Sequence, residues 1–197
     1  MVQIVTGRSD HLPSGVFMGL ARYRHRVFVE KLGWQLKCQD GLEFDQFDRP
    51  DTLYVVAQDQ DDQVVGGARL LPTTRPYLLG EIFPQLLNGQ HVPNSPDIWE
   101  LSRFAAVDFS EAASSAANPA KLPLGQFSSP VAVELLQATL ERAAESGARR
   151  VITVSPLGVE RLLRKAGFSA DRAGSPVLVD GNPIIACWIN VPGYSPS

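Results

Sequence analysis

The carboxy-terminal part of the chain alternates between helical and strand patterns, and this alternation limits the possible folds more than any other feature. Residues 130–147 carry an apolar stripe at helical spacing, with Ser129 as a candidate N-cap and Gly147 after the last turn. The run RRVITVS at 149–155 favours a strand, and LGVERLLRKAG at 157–167 is helical again. Two helices that join strands in this way indicate a mixed sheet with helices on both faces.

Hairpin signals support the same fold. The β-rich runs TLYVVAQ at 52–58 and VVGGARLLP at 64–72 are separated by the polar residues DQDDQ. A second hairpin is predicted within 176–191, where Asp180, Gly181 and Asn182 form the turn. The fold class that we predict is α/β, a three-layer α/β/α sandwich with a mixed sheet.

The remaining elements are predicted from shorter patterns. VQIVT at 2–6 is a strand candidate, and residues 13–34 carry apolar side chains at roughly helical spacing. IWELSRFAAV at 98–107 is a further strand candidate. Residues 105–128 are rich in small residues and proline, which predicts a mobile connection or lid.

Composition excludes several classes of protein. No stretch approaches the roughly 18 consecutive apolar residues of a membrane span, so we expect a cytoplasmic protein without a membrane partner. Cys38 and Cys187 lie far apart and the three histidines are scattered, so no metal site is predicted. A glycine-rich nucleotide-binding loop in the required strand, turn and helix context is also missing.

One apolar run contains charged residues that need an explanation. WELSRFAAVD at 99–108 includes Glu100, Ser102 and Arg103. In an extended strand Glu100 and Ser102 share one face and Arg103 lies on the other, unless a bulge breaks the alternation. A structural ion pair at the sheet edge and the wall of a functional site both fit this pattern, because a charge in an apolar strand must be paired or hydrogen-bonded.

Candidate partners lie upstream. The segment EFDQFDRP places Asp45 and Asp48 three residues apart, and YRHRVFVEKLGW supplies Arg24, Phe28 and Trp34. Taken singly, each has an ordinary interpretation, since acidic loops face solvent and aromatic residues belong to cores. Their joint order is more specific.

In identity, order and spacing, nine residues resemble the signature of the acyl-homoserine-lactone synthases, the autoinducer synthases of bacterial quorum sensing. The matching blocks cover residues 20–107 and read RHRVFVEKLGW, FDQFDRPDTLYVVA, GGARLLPTTRPYLL and IWELSRFAAV. The carboxy-terminal half is similar more loosely, through VITVSPLGVERLLRKAGF. The matching residues are Arg24, Phe28, Trp34, Asp45, Asp48, Arg69, Phe83, Glu100 and Arg103.

The resemblance implies one autoinducer synthase domain over residues 1–197 with a fold like the N-acyltransferase (GNAT) superfamily. It also implies a reaction, in which an acyl chain moves from acyl carrier protein to the amine of S-adenosylmethionine (SAM). The product closes to a lactone and methylthioadenosine (MTA) is released. SAM is then a substrate, and no permanently bound cofactor is expected.

Roles for the matching residues follow from the chemistry of this substrate. Glu100 is the candidate base for the amine, acting directly or through a water, in a catalytic set with Ser102 and Arg103. SAM carries a sulfonium, an ammonium and a carboxylate, so its pocket should offer both signs of charge and an aromatic wall. The expected SAM-binding residues are Arg24, Phe28, Trp34, Asp45, Asp48, Arg69 and Phe83. The sequence leaves open which arginines bind the substrate and which hold the aspartates.

Two further sites are expected from the carboxy-terminal half. Ser155 falls where relatives that favour 3-oxo acyl chains often have Thr, which assigns it to the acyl-chain pocket. Residues 141–172 hold seven basic and four acidic side chains, whereas residues 40–62 hold eight acidic side chains and one arginine. The basic segment suits docking of the small, acidic acyl carrier protein, although a solvated helix face is an equally good interpretation. The docking residues would be Arg149, Arg150, Arg161, Arg164, Lys165 and Arg172.

Other functions remain as alternatives. An acyl-CoA-dependent N-acyltransferase would have the same fold, but the glycine-rich pyrophosphate loop usual in that class is missing. A non-catalytic ligand-binding module would keep the pocket without turnover, and the intact Glu100 and Arg103 argue against it. Nucleic acid is a poorer partner, since the basic segment is short and the net charge is −3.

Overall fold

The computed structural model describes residues 2–109 and 129–194. Its strands are β1 (Gln3–Gly7), β2 (Cys38–Gln39), β3 (Leu42–Glu43), β4 (Leu53–Gln58), β5 (Val64–Pro72), β6 (Ile98–Ala105), β7 (Arg150–Pro156), β8 (Ala170–Arg172), β9 (Val177–Val179) and β10 (Asn182–Asn190). Its helices are α1 (Val16–Arg24), a π-helical stretch (His25–Lys31), α2 (Leu78–Ile82), a short 3-10 helix (Pro84–Leu87), α3 (Pro130–Glu145) and α4 (Val159–Lys165).

Local sequence signals set the boundaries of several elements. The backbone N–H of Ala132 donates to Ser129 Oγ over 3.1 Å, so Ser129 is the N-cap of α3 as predicted. Gly147 ends this helix with a φ of 89°. In the β9–β10 hairpin, Asp180 and Gly181 both have positive φ, at 48° and 77°, which matches the predicted turn.

The contacts divide the chain into two compact units. Unit one comprises Met1–Ala68 and Arg103–Leu136, and unit two comprises Arg69–Ser102 and Gln137–Ser197. The chain crosses from one unit to the other inside β5 and inside β6, so each unit contains part of both strands. The expectation of a single domain over 1–197 stays a prediction.

Unit one shows why the predicted three layers form. Its strands follow the order β1-β4-β5-β6, with Gln3 opposite Gln58 in the antiparallel β1–β4 pair. A Cβ on Gly67 would lie 2.4 Å from Leu20 of α1, and a Cβ on Gly66 would lie 3.1 Å from Leu135 of α3. Because successive strand residues face opposite sides, these two contacts place a helix on each face of the sheet.

Unit two contains the mixed part of the sheet. Its strands follow the order β5-β6-β7-β10-β8, and β9 pairs with β10. β6 runs parallel to β7, with Ile98 opposite Arg150, whereas β10 runs antiparallel to β7. The predicted α/β sandwich with a mixed sheet is therefore confirmed.

The structure departs from the sequence prediction in its short elements. The helix predicted over 13–34 is regular only to Arg24, and Leu32 N–H then bonds Val27 C=O over 3.0 Å, which is the wider spacing of a π-helix. The hairpin β2–β3, helix α2 and strand β8 were not predicted. Elements of two to five residues carry too little periodicity to be seen in sequence and depend on tertiary contacts.

The predicted connection or lid at 105–128 falls mostly in a part of the chain that the structure does not describe, since residues 110–128 lie outside the described residues. Within 2–109 and 129–194, no helix has both the length and the apolar character that a membrane span requires.

Candidate functional site

One group of charges in unit one is built around Arg24 and Arg103. Arg24 is the last residue of α1, and its buried Nε donates to Glu43 Oε2 over 2.5 Å. Its Nη1 and Nη2 donate to the two carboxylate oxygens of Asp48 over 2.7 and 3.0 Å. Burial alone would lower the pKa of the Arg24 guanidinium, but Asp48 and Glu43 outweigh burial and raise it.

Arg103 completes this group from β6. Its Nη2 donates to Glu43 Oε1 over 3.0 Å and to Asp45 Oδ2 over 2.9 Å. Glu43 therefore bridges the two arginines. We name these five residues, Arg24, Glu43, Asp45, Asp48 and Arg103, the charged cluster, and their formal charges sum to −1.

The three carboxylates of the charged cluster differ in exposure. The side chains of Glu43 and Asp48 are 1% and 4% exposed, whereas that of Asp45 is 15% exposed. Asp48 accepts hydrogen bonds from Arg24, from the backbone N–H of Asp45 over 2.8 Å and from the hydroxyl of Tyr54 over 2.9 Å. Asp45 is thus the carboxylate of the cluster that is most accessible to a ligand.

An aromatic pair lies against the charged cluster. Phe28 and Trp34 are stacked, with ring centroids 4.8 Å apart and an interplanar angle of 23°. The Arg103 guanidinium carbon lies 5.5 Å from the Phe28 centroid and 5.8 Å from that of Trp34. Phe28 is buried but Trp34 is 39% exposed, so a flat or cationic ligand can reach the indole.

The geometry answers part of the question about the arginines. Arg24 uses Nε, Nη1 and Nη2 on Glu43 and Asp48, and it is buried. Its role in this structure is to hold carboxylates in place. Arg103 also binds two carboxylates, yet it lies beside the accessible indole of Trp34.

Sequence reasoning missed Glu43. Its position in an acidic segment is typical of a solvent-facing loop, and only its apolar neighbours Leu42 and Phe44 signal otherwise. In the structure Glu43 belongs to β3, opposite Cys38, and its side chain is buried between two guanidinium groups.

Unit two holds a second group of buried polar residues, centred on Glu100. The Glu100 side chain is fully buried, and its oxygens accept the backbone N–H groups of Leu78 over 2.9 Å and Leu79 over 2.6 Å. It therefore satisfies two of the free N–H groups at the start of α2, an arrangement that suits an ionised carboxylate. Burial first, and then the charge of Glu100, raise the pKa of Tyr77, whose hydroxyl donates to Pro93 C=O over 2.7 Å.

Ser102 and Arg69 form the other contact of this group. Arg69 is fully buried on β5, and its Nε donates to Ser102 Oγ over 3.0 Å. Ser102 thus orients a buried guanidinium in this structure.

The run WELSRF contributes residues to both groups, and its backbone is irregular at Arg103. Arg103 has a φ of 52°, in the left-handed region that residues other than glycine rarely adopt. Arg103 bonds Glu43 and Asp45 of unit one, while Glu100 and Ser102 bond within unit two. The strained conformation is typical of functional positions.

The remaining predicted residues lie elsewhere in unit two. Phe83 follows α2 and is half-buried, and Ser155 is buried on β7 opposite Ile185. No described contact assigns a ligand to either residue. Their roles stay predictions.

The basic segment is divided by its contacts. Of the six predicted docking residues, all except Arg150 are exposed. Arg164 donates to Ala170 C=O over 3.0 Å, and Arg172 forms an ion pair with the buried Glu160. Arg150 covers the ring of Trp188 at 4.0 Å. Half of the predicted docking residues therefore also have structural contacts.

The described ranges contain no group of three or more His, Cys, Asp or Glu side chains arranged to hold a metal ion. Cys38 and Cys187 are both free thiols.

Comparison with solved structures bears first on the fold. The chain is similar in structure to a putative N-acetyltransferase from Lactobacillus plantarum, with a TM-score of 0.59 and 18% identity over 96% of this chain and 98% of the other. That likeness shows a similar fold.

The chain belongs to the autoinducer synthase family, whose model matches residues 14–193, and it is an acyltransferase of the acyl-homoserine-lactone synthase type. It is 54% identical to an acyl-homoserine-lactone synthase of Acinetobacter nosocomialis over 190 residues, which cover 96% of this chain and all of the relative. The resemblance seen in the sequence is therefore confirmed.

Solved structures of the same kind agree. TofI, in a ternary complex with an inhibitor and MTA, is 44% identical with a TM-score of 0.77, over 96% of this chain and 91% of that chain. BjaI, a CoA-dependent acyl-homoserine lactone synthase with SAM and isopentyl-CoA, is 29% identical with a TM-score of 0.79. The match covers 98% of this chain and 84% of the BjaI chain.

Proposed function

We propose that this protein transfers an acyl chain from acyl carrier protein to the amine of SAM and releases an acyl-homoserine lactone as a quorum-sensing signal. The amine attacks the thioester carbonyl, its proton passes to a base, and the carrier thiol leaves. The SAM carboxylate then displaces MTA from the sulfonium carbon and closes the lactone. The second step needs little assistance, because the nucleophile and the leaving group belong to one molecule.

The observation that carries this proposal is the charged cluster beside an accessible indole. The cluster has three carboxylates for two arginines, and Asp45 is its most exposed anion. Trp34 offers a π face next to these charges. An excess of negative charge next to an aromatic ring suits the sulfonium and ammonium of SAM.

Glu100 is the proposed base. Its two backbone N–H donors suit the ionised form, and an ionised carboxylate is the form that can accept a proton from the substrate ammonium. Ser102 and Arg69 are proposed to support the same chemistry by fixing a buried positive charge.

The acyl donor is proposed to be acyl carrier protein because Arg149, Arg161 and Lys165 are exposed and attract an acidic partner. A second candidate donor is acyl-CoA, since BjaI is CoA-dependent. Initial rates with the same acyl group on either carrier distinguish the two. A higher kcat/KM with acyl-CoA would contradict the proposed donor.

The proposed reaction is tested by incubating the purified protein with SAM and acyl-acyl carrier protein. Equal amounts of MTA and acyl-homoserine lactone are expected by chromatography and mass spectrometry. An acylated SAM without MTA would indicate a simple N-acyltransferase, and binding of SAM without either product would indicate a non-catalytic module.

We expect Trp34→Ala to raise the KM for SAM by about 2- to 30-fold, which corresponds to a loss of about 0.5–2 kcal/mol of cation–π and stacking energy. The distribution of acyl-chain products should stay the same. The matched control is Trp188→Ala, because Trp188 is also covered by an arginine, at 4.0 Å, but lies on β10. A wild-type KM for SAM in Trp34→Ala would contradict the assignment.

Reversing two exposed charges of α4 tests carrier docking. We expect Arg161→Glu/Lys165→Glu to slow the reaction about 10-fold or more at low salt, because the field that steers an acidic carrier is reversed. The difference should shrink as salt rises. Arg164 is left unchanged, since it binds the carbonyl of Ala170.

The control for this variant is Arg8→Glu/Arg22→Glu, which changes the net charge equally at exposed positions in unit one. Initial rates are measured against carrier concentration at two ionic strengths with saturating SAM. Equal slowing of both variants would show a net-charge effect and would remove α4 as the docking surface.

A further inference from the structure

Tyr54 is a buried residue of β4 that contacts the charged cluster through Asp48. Its side chain is fully buried, and its hydroxyl donates to Asp48 Oδ1 over 2.9 Å. Its ring packs edge-on against Phe17, with centroids 5.2 Å apart. The ring is thereby fixed in the core, and the hydroxyl has a fixed position next to Asp48.

The Tyr54 hydroxyl completes the hydrogen bonding of Asp48. Oδ1 accepts from Tyr54 and from Arg24 Nη1, and Oδ2 accepts from Arg24 Nη2 and from the backbone N–H of Asp45. Four donors on two oxygens match the acceptor capacity of a carboxylate. Asp48 is therefore held in one orientation and has little capacity left for a ligand.

The orientation of Asp48 is transmitted to Asp45. The bond from Asp45 N–H to Asp48 is 2.8 Å long and fixes the backbone of the residue whose carboxylate is the most exposed in the cluster. Asp45 Oδ1 in turn accepts the backbone N–H of Phe47 over 2.8 Å, and Oδ2 faces Arg103. Asp48 therefore holds Asp45 through its backbone, in addition to the contacts that Phe47 and Arg103 make with its carboxylate.

We propose that Tyr54 is a positioning residue for the cationic substrate: through Asp48 it places the Asp45 carboxylate that receives the positive charge of SAM. This inference rests on the proposed function. It differs from a general role in stability because it predicts a loss that depends on the charge of the ligand.

The experiment compares two ligands in Tyr54→Phe. SAM carries a sulfonium and an ammonium, whereas MTA is neutral and keeps only the nucleoside and the thioether. Each is titrated calorimetrically into wild type, Tyr54→Phe and Tyr23→Phe. Tyr23 is the matched control, because it is also a buried, hydrogen-bonded tyrosine of unit one. Its hydroxyl donates to Val65 C=O over 3.1 Å and accepts from Val107 N–H over 2.7 Å.

We expect Tyr54→Phe to weaken SAM binding by about 3- to 10-fold, because only part of the energy of one hydrogen bond to a charged group is lost from binding and the rest is lost from folding. MTA binding should change by less than about 2-fold. Tyr23→Phe should lower the Tm and leave both affinities unchanged.

Unchanged SAM binding in Tyr54→Phe, or an equal loss for SAM and MTA, would overturn the positioning role. Weakened SAM binding in Tyr23→Phe to the same degree would do the same. Failure of the wild-type protein to bind SAM would overturn the proposed function itself, which the wild-type titration reports separately.

Discussion

Glu100→Gln is expected to lower the rate of acylation by about 100- to 10,000-fold, the usual cost of removing a general base. The amine of SAM stays protonated without a base and cannot attack a thioester. The amide also presents an NH2 group where Glu100 now accepts two backbone N–H groups, so one of these bonds is lost. The measurement is single-turnover acylation with saturating SAM, together with the free energy of unfolding.

The control must separate the loss of the base from the loss of the hydrogen bond to the start of α2. Glu160 provides it, because it is another buried carboxylate of unit two that accepts a backbone N–H at the start of a helix, from Gly158 over 3.1 Å. Glu100→Gln and Glu160→Gln should each lower the free energy of unfolding by about 1–3 kcal/mol, but Glu160→Gln should keep the acylation rate at saturating donor. Wild-type acylation in a folded Glu100→Gln would contradict the assignment of Glu100 as base.

The longer elements were predictable because their patterns are local. The stripe of α3, its Ser129 cap and the turn at Asp180 and Gly181 are each determined within a few residues, by helical spacing, N-capping and tolerance of positive φ. The same is true of the β4–β5 hairpin, whose flanking runs are almost continuously apolar.

Sequence predicted four of the five residues of the charged cluster but not the contacts among them. Sequence identified Arg24, Asp45, Asp48 and Arg103, yet it could not show that the arginines bind the carboxylates, because those contacts join residues up to 60 positions apart. Strand alternation alone places Arg103 opposite to Glu100 and Ser102. The positive φ of Arg103 has no signal in the residue type.

Short elements were missed for a related reason. Helix α2 has only five residues, and its first N–H groups are satisfied by Glu100, which lies about 20 residues away in sequence. Local propensity cannot report a helix that depends on a distant carboxylate. Glu43 was missed in the same way, since its burial results from two distant arginines.

Glu43→Gln is expected to destabilise the protein by about 3–5 kcal/mol, the cost of removing one partner from a buried ionic network. Glu43 accepts from Arg24 Nε and from Arg103 Nη2, and its side chain is almost fully buried. An amide can supply one acceptor oxygen, but its NH2 group would face a guanidinium donor. The result is a buried charge with an unsatisfied N–H, which is more costly than the loss of an exposed ion pair.

The effect on function should follow from the loss of order in the cluster. With Glu43 neutral, Arg24 and Arg103 have only Asp48 and Asp45 left among the cluster carboxylates, so Asp45 should be drawn further into pairing with Arg103. We therefore expect weaker SAM binding as well as a lower free energy of unfolding. Denaturant titration and calorimetry with SAM measure the two effects.

The matched control is Glu30→Gln, since the side chain of Glu30 is exposed and lies 3.2 Å from His25 Nδ1 at the surface. This variant should change stability by less than about 1 kcal/mol. A Glu43→Gln variant as stable as Glu30→Gln would mean that the two arginines do not depend on Glu43, and that Asp45 and Asp48 alone suffice to compensate both buried positive charges.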